Sequence, residues 1–303
     1  MANEITAFAQ NMTRELDKAA AYKPVTGFFA DNGLRSRFVG AKTVMIPELE
    51  ISGLGDYDRD TGFVKGTVSV SSRPYTLAMD RGRSFQLDRE DNDETGIAGL
   101  AGQVMGEFVR TKVVPEIDAY CLSKLAGYAA TASQTVTGTP ESQAFQMLSE
   151  AMAKAQNAVG YDEELVAFLD SGLWTALQAS GEFIRQIGTG DFRRGEVNTQ
   201  VKTYNGMALL PVPDSRMKTA FTFRNGVDEG QESGGFAPAA AAQSIGLLLL
   251  PRRAAALVKK TDQVRIFPPE SNPGADAWKF DYRLYYDLFI KNSMAGGIIA
   301  YLH

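Results

Sequence analysis

The rarest side chains set the first limits on chemistry. Of 303 residues one is a histidine, His303, and one a cysteine, Cys121. A Cys/His zinc site, a disulfide or a Cys–His dyad needs more than this unless a chain end folds back onto the site. Ser–His–Asp chemistry would have to recruit the same terminal imidazole. Carboxylate, lysine and tyrosine chemistry stay open. Asp56, Asp58 and Asp60 have the alternating acidic spacing of a calcium loop, but the strictest positions fail. Thr61 stands where glycine makes the turn, Thr67 where a bidentate glutamate closes the shell, and Arg59 puts a positive charge inside. A charged hairpin tip that makes ion pairs with another subunit is the better reading of Asp56, Asp58, Arg59 and Asp60.

The other constellations have plainer explanations. Gly99, Gly102 and Gly106 fall inside a helical pattern and not between a strand and a helix, so they form no dinucleotide fingerprint. No G-x-x-x-x-G-K-[ST] phosphate loop occurs. The charged series from Asp80 through Arg81, Arg83, Asp88 and Asp91 to Glu94 would suit a carboxylate active site, but mixed signs beside a strand-to-helix turn more simply make a salt-bridge network. Tyr282, Tyr285 and Tyr286 read as packing residues, and Cys121 as a small core residue on the apolar face of a helix. No catalytic residue, metal ligand or cofactor site is predicted.

After a short helical stretch at Glu4–Lys18, Pro24, Gly27 and Gly33 interrupt a segment whose Phe28 and Phe29 need a surface, on this chain or a neighbour. Val44, Ile46, Leu49 and Ile51, then Val68, Val70, Tyr75, Leu77 and Met79, alternate as strands do. They predict a two-stranded ribbon within 40–90 that ends in a long charged tip and is too long to be stable alone. Asp91 with Glu94 forms a capping box for a long helix across 91–128, with Pro115 kinking it or opening a second segment. A second helix spans Glu141–Val159. Strands are expected at Glu164–Leu169, Ser244–Leu250, Val264–Phe267 and within Ala277–Ala300. Helices are expected at Ser171–Ser180 and Arg252–Val258, a loop at 187–200, and a hairpin over Val201–Val212 turning at Asn205–Gly206.

The composition is that of a folded chain, 44% hydrophobic and 22% charged. With 31 Lys+Arg against 36 Asp+Glu, it carries a formal charge of −5 and lacks the basic excess of a nucleic-acid binder. No apolar run approaches the ~20 residues of a membrane span, and the N-terminus has no secretory pattern. Cytoplasmic synthesis and no membrane partner are expected.

Several strings carry a family resemblance. SGLGDYDRDTGFVKG followed by YTLAMDRGRSFQLDREDNDET, then MGEFVRTKVVPEIDAYCLSKLA and RIFPPESNPGADAWKFDYRLYYDLFI, resemble the major capsid proteins of tailed phages of Gram-positive bacteria. The resemblance covers about residues 40–300. It implies an α+β chain of the Hong Kong 97-type capsid fold. Its parts would be an N-terminal arm (1–39), an extended E-loop β-ribbon (40–90), a peripheral domain with a long spine helix (91–159), a mixed α/β axial domain (160–263) and a C-terminal return to the peripheral domain (264–303). It further implies a virion shell protein that assembles as pentamers and hexamers of itself, with a separate scaffolding protein and a portal, around DNA that it does not read by sequence. The E-loop would overlie an adjacent subunit. Some relatives crosslink covalently through an E-loop lysine; Lys65 sits in the tip region as a candidate donor, but no string identifies the acceptor asparagine or the glutamate, and crosslinking is not expected. An encapsulin-type nanocompartment shell, which shares the fold, and a carboxylate-dependent α+β enzyme are the rival readings.

Overall fold

A computed structural model describes residues 24–30, 37–39, 43–60, 62–88, 100–194 and 197–303. The helix expected at Glu4–Lys18 and the capping box at Asp91 lie outside them.

The ribbon comes first. β1 (Arg37–Val39), β2 (Thr43–Ile51) and β3 (Val68–Thr76) form an antiparallel sheet in that order, with Thr43 opposite Thr76 and Ile51 opposite Val68. β1 reaches only to Met45, so Pro47 sits where β2 has an edge, and Pro74 lies on the outer strand. Both positions tolerate a residue without an N–H.

The expected ribbon is shorter than its alternation suggested. After Leu77–Ala78 the chain enters β4 (Met79–Asp88), which pairs over ten residues with a distant strand and not with β2. Alternation continues through the junction because both sheets have an apolar face, and period two cannot register a change of partner.

α1 (Leu100–Phe108) runs through a wide turn at Val109–Val113 into α2 (Val114–Thr131). Pro115 lacks an N–H and its ring crowds the preceding turn, so the ladder slips there to i→i+5 bonding, Val114 N–H to Val109 C=O. α3 (Pro140–Val159) opens on Pro140 behind Thr139. β5 (Leu165–Leu169) leads into α4 (Ser171–Ala179), whose N-cap carboxylate, Asp170 Oδ1, accepts the Leu173 N–H at 2.8 Å. α5 (Gly181–Gln186) follows.

The expected loop at 187–200 is a hairpin instead, made of β6 (Ile187–Arg194) and β7 (Val197–Tyr204). Its glycines are strand residues: a Cβ on Gly190 would come within 2.9 Å of the Thr203 methyl. β8 (Met207–Pro211) follows the expected turn, with Asn205 and Gly206 at φ 46° and 80°.

β9 (Phe221–Phe223) and β10 (Phe236–Pro238) make a small hairpin, followed by β11 (Ile245–Pro251). The expected helix at Arg252–Val258 is overturned. A turn there opens β12 (Ala255–Phe267), a 13-residue strand that absorbs the expected strand at Val264–Phe267. An apolar run as short as AAALV has no period of its own, and the 14-residue β13 (Ala277–Ile290) supplies the deciding partner. β14 (Ile299–Leu302) closes the described chain.

Six strands in the order β14–β11–β5–β8–β7–β6 make the main sheet, with β5 and β8 parallel. Both its faces are covered. Val166, Phe168, Leu248 and Leu250 join a core with α2, while Leu165, Leu169, Leu247 and Leu249 join a second core with α3 and α4. Burial on both faces explains why β11 reads as unbroken IGLLLL. A second sheet, β12–β13–β4, carries the ribbon at its edge through Leu77–Ala78. The architecture is α+β.

Candidate assembly surfaces

The ribbon tip is built by two backbone hydrogen bonds, Asp58 N–H to Gly62 C=O at 3.2 Å and Gly62 N–H to Asp58 C=O at 2.8 Å. Gly62 takes φ 82°, which a side chain would resist. Asp58 Oδ1 accepts the Asp60 N–H at 2.6 Å, so this carboxylate shapes the turn. Asp56, Asp58, Arg59, Asp60 and Lys65 are all exposed. Among the described residues no group of three or more metal-ligating side chains converges.

What the sequence reasoning missed is the apolar surface beside these charges. Leu54 is fully exposed, Phe63 86% and Val64 70% exposed, and Ile51, Val68 and Val70 are uncovered along the ribbon. Tyr57 packs on Phe63 in a tilted contact, 4.8 Å between centroids, the tip's one aromatic contact among the described residues. Isolated exposed apolar residues are ordinary; seven within twenty residues on one projection form a patch.

The segment after Pro24, by contrast, finds its surface on its own chain. Phe28 and Phe29 are completely buried, packed on Phe168 and Phe192, with the Arg252 guanidinium 4.8 Å from the Phe192 ring. Arg252 also donates to Glu164 Oε1 and Arg193 C=O, both at 2.8 Å. Asp118, on α2 and fully buried, accepts from the Val25 and Thr26 N–H groups, the Thr26 hydroxyl and Arg216. Burial pushes its carboxyl up against the opposing pull of those donors.

Two members of the charged series, Asp80 and Arg81, form ion pairs. Asp80 takes Arg283 through both oxygens, and Arg81 takes Glu116 at 2.7 and 3.2 Å. Arg89 to Glu94 lie outside the described residues. Tyr282 and Tyr285 are packing residues whose hydroxyls reach Asp262 and the Leu77 C=O. Cys121 is buried, and desolvation pushes its thiol well up.

A cleft of about 650 Å³ opens between β4 and β13, the wide turn before α2, and the loop joining β9 to β10. Its charge is lopsided: among the described residues, Arg81, Arg83, Lys112, Arg216 and Arg224 line it against one carboxylate, Glu116. Phe85, Phe108 and Tyr282 give it an aromatic wall, with edge-to-face contacts at 4.9 and 5.8 Å. Tyr286 also lines it; the residue is 1% exposed, and its hydroxyl has no hydrogen-bond partner among the described residues.

The chain as a whole is similar in fold to solved structures. A chain of Mycobacterium phage Ogopogo is similar at TM-score 0.55 and 11% identity, covering 92% of each chain. The capsid structure of cyanophage P-SCSP1u is similar at TM-score 0.53 and 11% identity, covering 88% of this chain and 84% of that one. The fold is the capsid-shell fold. A virus-like particle from Pyrococcus furiosus has it too, at TM-score 0.50 and 9% identity over 97% of each chain. No family model and no curated protein matches the sequence. No helix among the described residues is long and apolar enough to cross a membrane.

Proposed function

We propose that this chain is the major capsid protein of a tailed phage, assembling with copies of itself as pentamers and hexamers into an icosahedral head around double-stranded DNA. The observation that carries the reading is the near end-to-end likeness to a phage capsid chain, 88% of this chain on 84% of that one. The exposed apolar ribbon supports it, since a projection with uncovered Leu54, Phe63 and Val64 calls for a partner surface. In this reading the role is structural and draws on no catalytic residue or cofactor.

The finer parts follow the same reading. Residues 1–39 are the arm, 40–90 the E-loop whose tip carries Asp56, Asp58, Arg59, Asp60 and Lys65 to a neighbour, 91–159 the peripheral domain with the spine helix, 160–263 the axial domain, and 264–303 the return. A scaffolding protein and a portal are separate partners, and the site of action is the virion. The test is expression of the chain alone and with a candidate scaffold, followed by negative-stain microscopy and size-exclusion chromatography. Shells, tubes, pentamers or hexamers are expected. A homogeneous small oligomer in both preparations would defeat the reading, and shells that retain a cargo enzyme would turn it toward a nanocompartment.

A further inference from the structure

We propose that the cationic cleft between β4, β13 and the β9–β10 loop is the socket that receives the ribbon tip of a second copy of this chain. The inference rests on the shell reading above and names the receiving surface, which that reading leaves open. Three observations converge on it.

The first is charge. Of the cations lining the cleft, Arg81 is taken by Glu116 and Arg216 by buried Asp118. Arg83 and Arg224 donate only to neutral oxygens, the Glu232 C=O and the Ser233 hydroxyl, and among the described residues no carboxylate pairs with them or with Lys112. The tip offers Asp56, Asp58 and Asp60 within five residues, against Arg59.

The second is polarity. Phe85 and Phe108 line the same cleft as the guanidinium groups. A phosphodiester backbone would meet the cations but leave the aromatic wall wet. A segment with apolar and acidic side chains interleaved, as in Leu54–Asp56–Tyr57–Asp58, meets both.

The third is reach. The nine residues of β2 carry Ile51 about 26 Å from the ribbon root at Thr43–Thr76, and the tip follows Ile51 in the chain. Arg81 lies five residues past Thr76, so at most about 18 Å from that root. No described residue of the ribbon or its tip lines the cleft of its own chain, so the occupant is another copy's tip.

The test uses assembled shells of the full chain. Phe63→p-benzoylphenylalanine keeps an aromatic group at the tip, and irradiation of shells made from mixed heavy- and light-isotope subunits marks what it touches. Crosslinked peptides from residues 81–85, 108–117 or 224–236, joined heavy to light, are expected. Shells that form normally but crosslink elsewhere, or only within one subunit, overturn the socket and leave the shell reading standing. A wild-type chain that forms no shells removes both. Charge reversal supplies a second readout. Arg83→Glu with Lys112→Glu should raise the free-subunit concentration beside shells by about tenfold or more, and Asp56→Lys with Asp60→Lys in the same chain should recover most of it. If the cleft reversal leaves assembly unchanged and instead weakens retention of a DNA fragment on a filter, the cleft is a phosphodiester site and the socket is wrong.

Discussion

Replacing Leu54 and Phe63 with serine is the sharpest test of why apolar side chains stand on the ribbon. In the isolated subunit the change should be nearly silent. Leu54 is fully exposed and Phe63 86% exposed, and surface substitutions of this kind stay within about 0.5 kcal/mol. On the shell reading the two side chains become covered on assembly, and full burial of each contributes about 1.5–3 kcal/mol. Together that is about 3–6 kcal/mol for every tip. Ordering a projecting loop offsets part of any interface gain, so the lower figure is the one to expect. At about 1.4 kcal/mol per factor of ten, it corresponds to a tip contact weakened roughly a hundredfold. Each subunit gives one tip, so the loss recurs at every position in the lattice. The assay is the concentration of free subunit left after shells are pelleted, measured beside a circular-dichroism melt of the unassembled chain. An unchanged melt with free subunit raised by one to two orders of magnitude is the expected pair. Free subunit within about threefold of wild type, with the same melt, would refute the idea that these residues are buried on assembly.

Three further outcomes are expected. Phe28→Ala should cost about 3–5 kcal/mol in urea unfolding of the dissociated subunit, because the ring is completely buried against Phe168 and Phe192; a loss below about 1 kcal/mol would mean that the segment is not anchored there. Cys121 should resist alkylation in the folded chain and react on unfolding, since burial pushes the thiol up and leaves little thiolate; stoichiometric labelling under native conditions would contradict its place in the core. The Ser171 hydroxyl and N–H hold the Asp214 carboxyl below its ordinary range. A depressed folded value contributes stability above the unfolded carboxylate range that is lost as pH falls through the folded value. The stability gap between wild type and Ser171→Ala should therefore be open at neutral pH and close in acid, and a gap independent of pH would rule the linkage out.

What the sequence made legible was whatever carried its own signal. β5 and β11 stand out because both faces of their sheet are buried, and Asn205–Gly206 because few residues accept its backbone. The tip residues Asp56 to Lys65 could be placed at a hairpin end from glycines and charge. The β6–β7 hairpin stayed hidden because alternating Thr, Gly and Asp look like a loop until the close pass of Thr203 explains the glycines. β12 was misread at its start because Ala254–Val258 fits either period, and only β13, some thirty residues on, decides between them. The apolar face of the tip was invisible for a different reason: hydrophobic residues are read as buried in their own chain. The cleft could not be read at all, because its walls come from five separated stretches, Arg81–Phe85, Phe108–Ile117, Ser215–Arg216, Arg224–Phe236 and Tyr282–Tyr286.

The pairing of β4 with β13 also bears on how the subunit is made. The Ala78 N–H that bonds Asp287 Oδ2 waits for a carboxylate 209 residues later. At about 5–20 residues per second of synthesis, the ribbon and the bare edge of β4 stand exposed for roughly 10–40 seconds before β13 emerges. Throughout that time every nascent chain displays an unpaired strand and an apolar tip on a crowded ribosome. Polysomes of this message are therefore a place where tips can meet the wrong strands, and slowing translation over residues 90–275 should raise the aggregated fraction. If ribosome-bound chains halted before residue 277 prove as protease-resistant across 43–88 as the finished subunit, the ribbon and β4 form without β13 and that hazard does not exist.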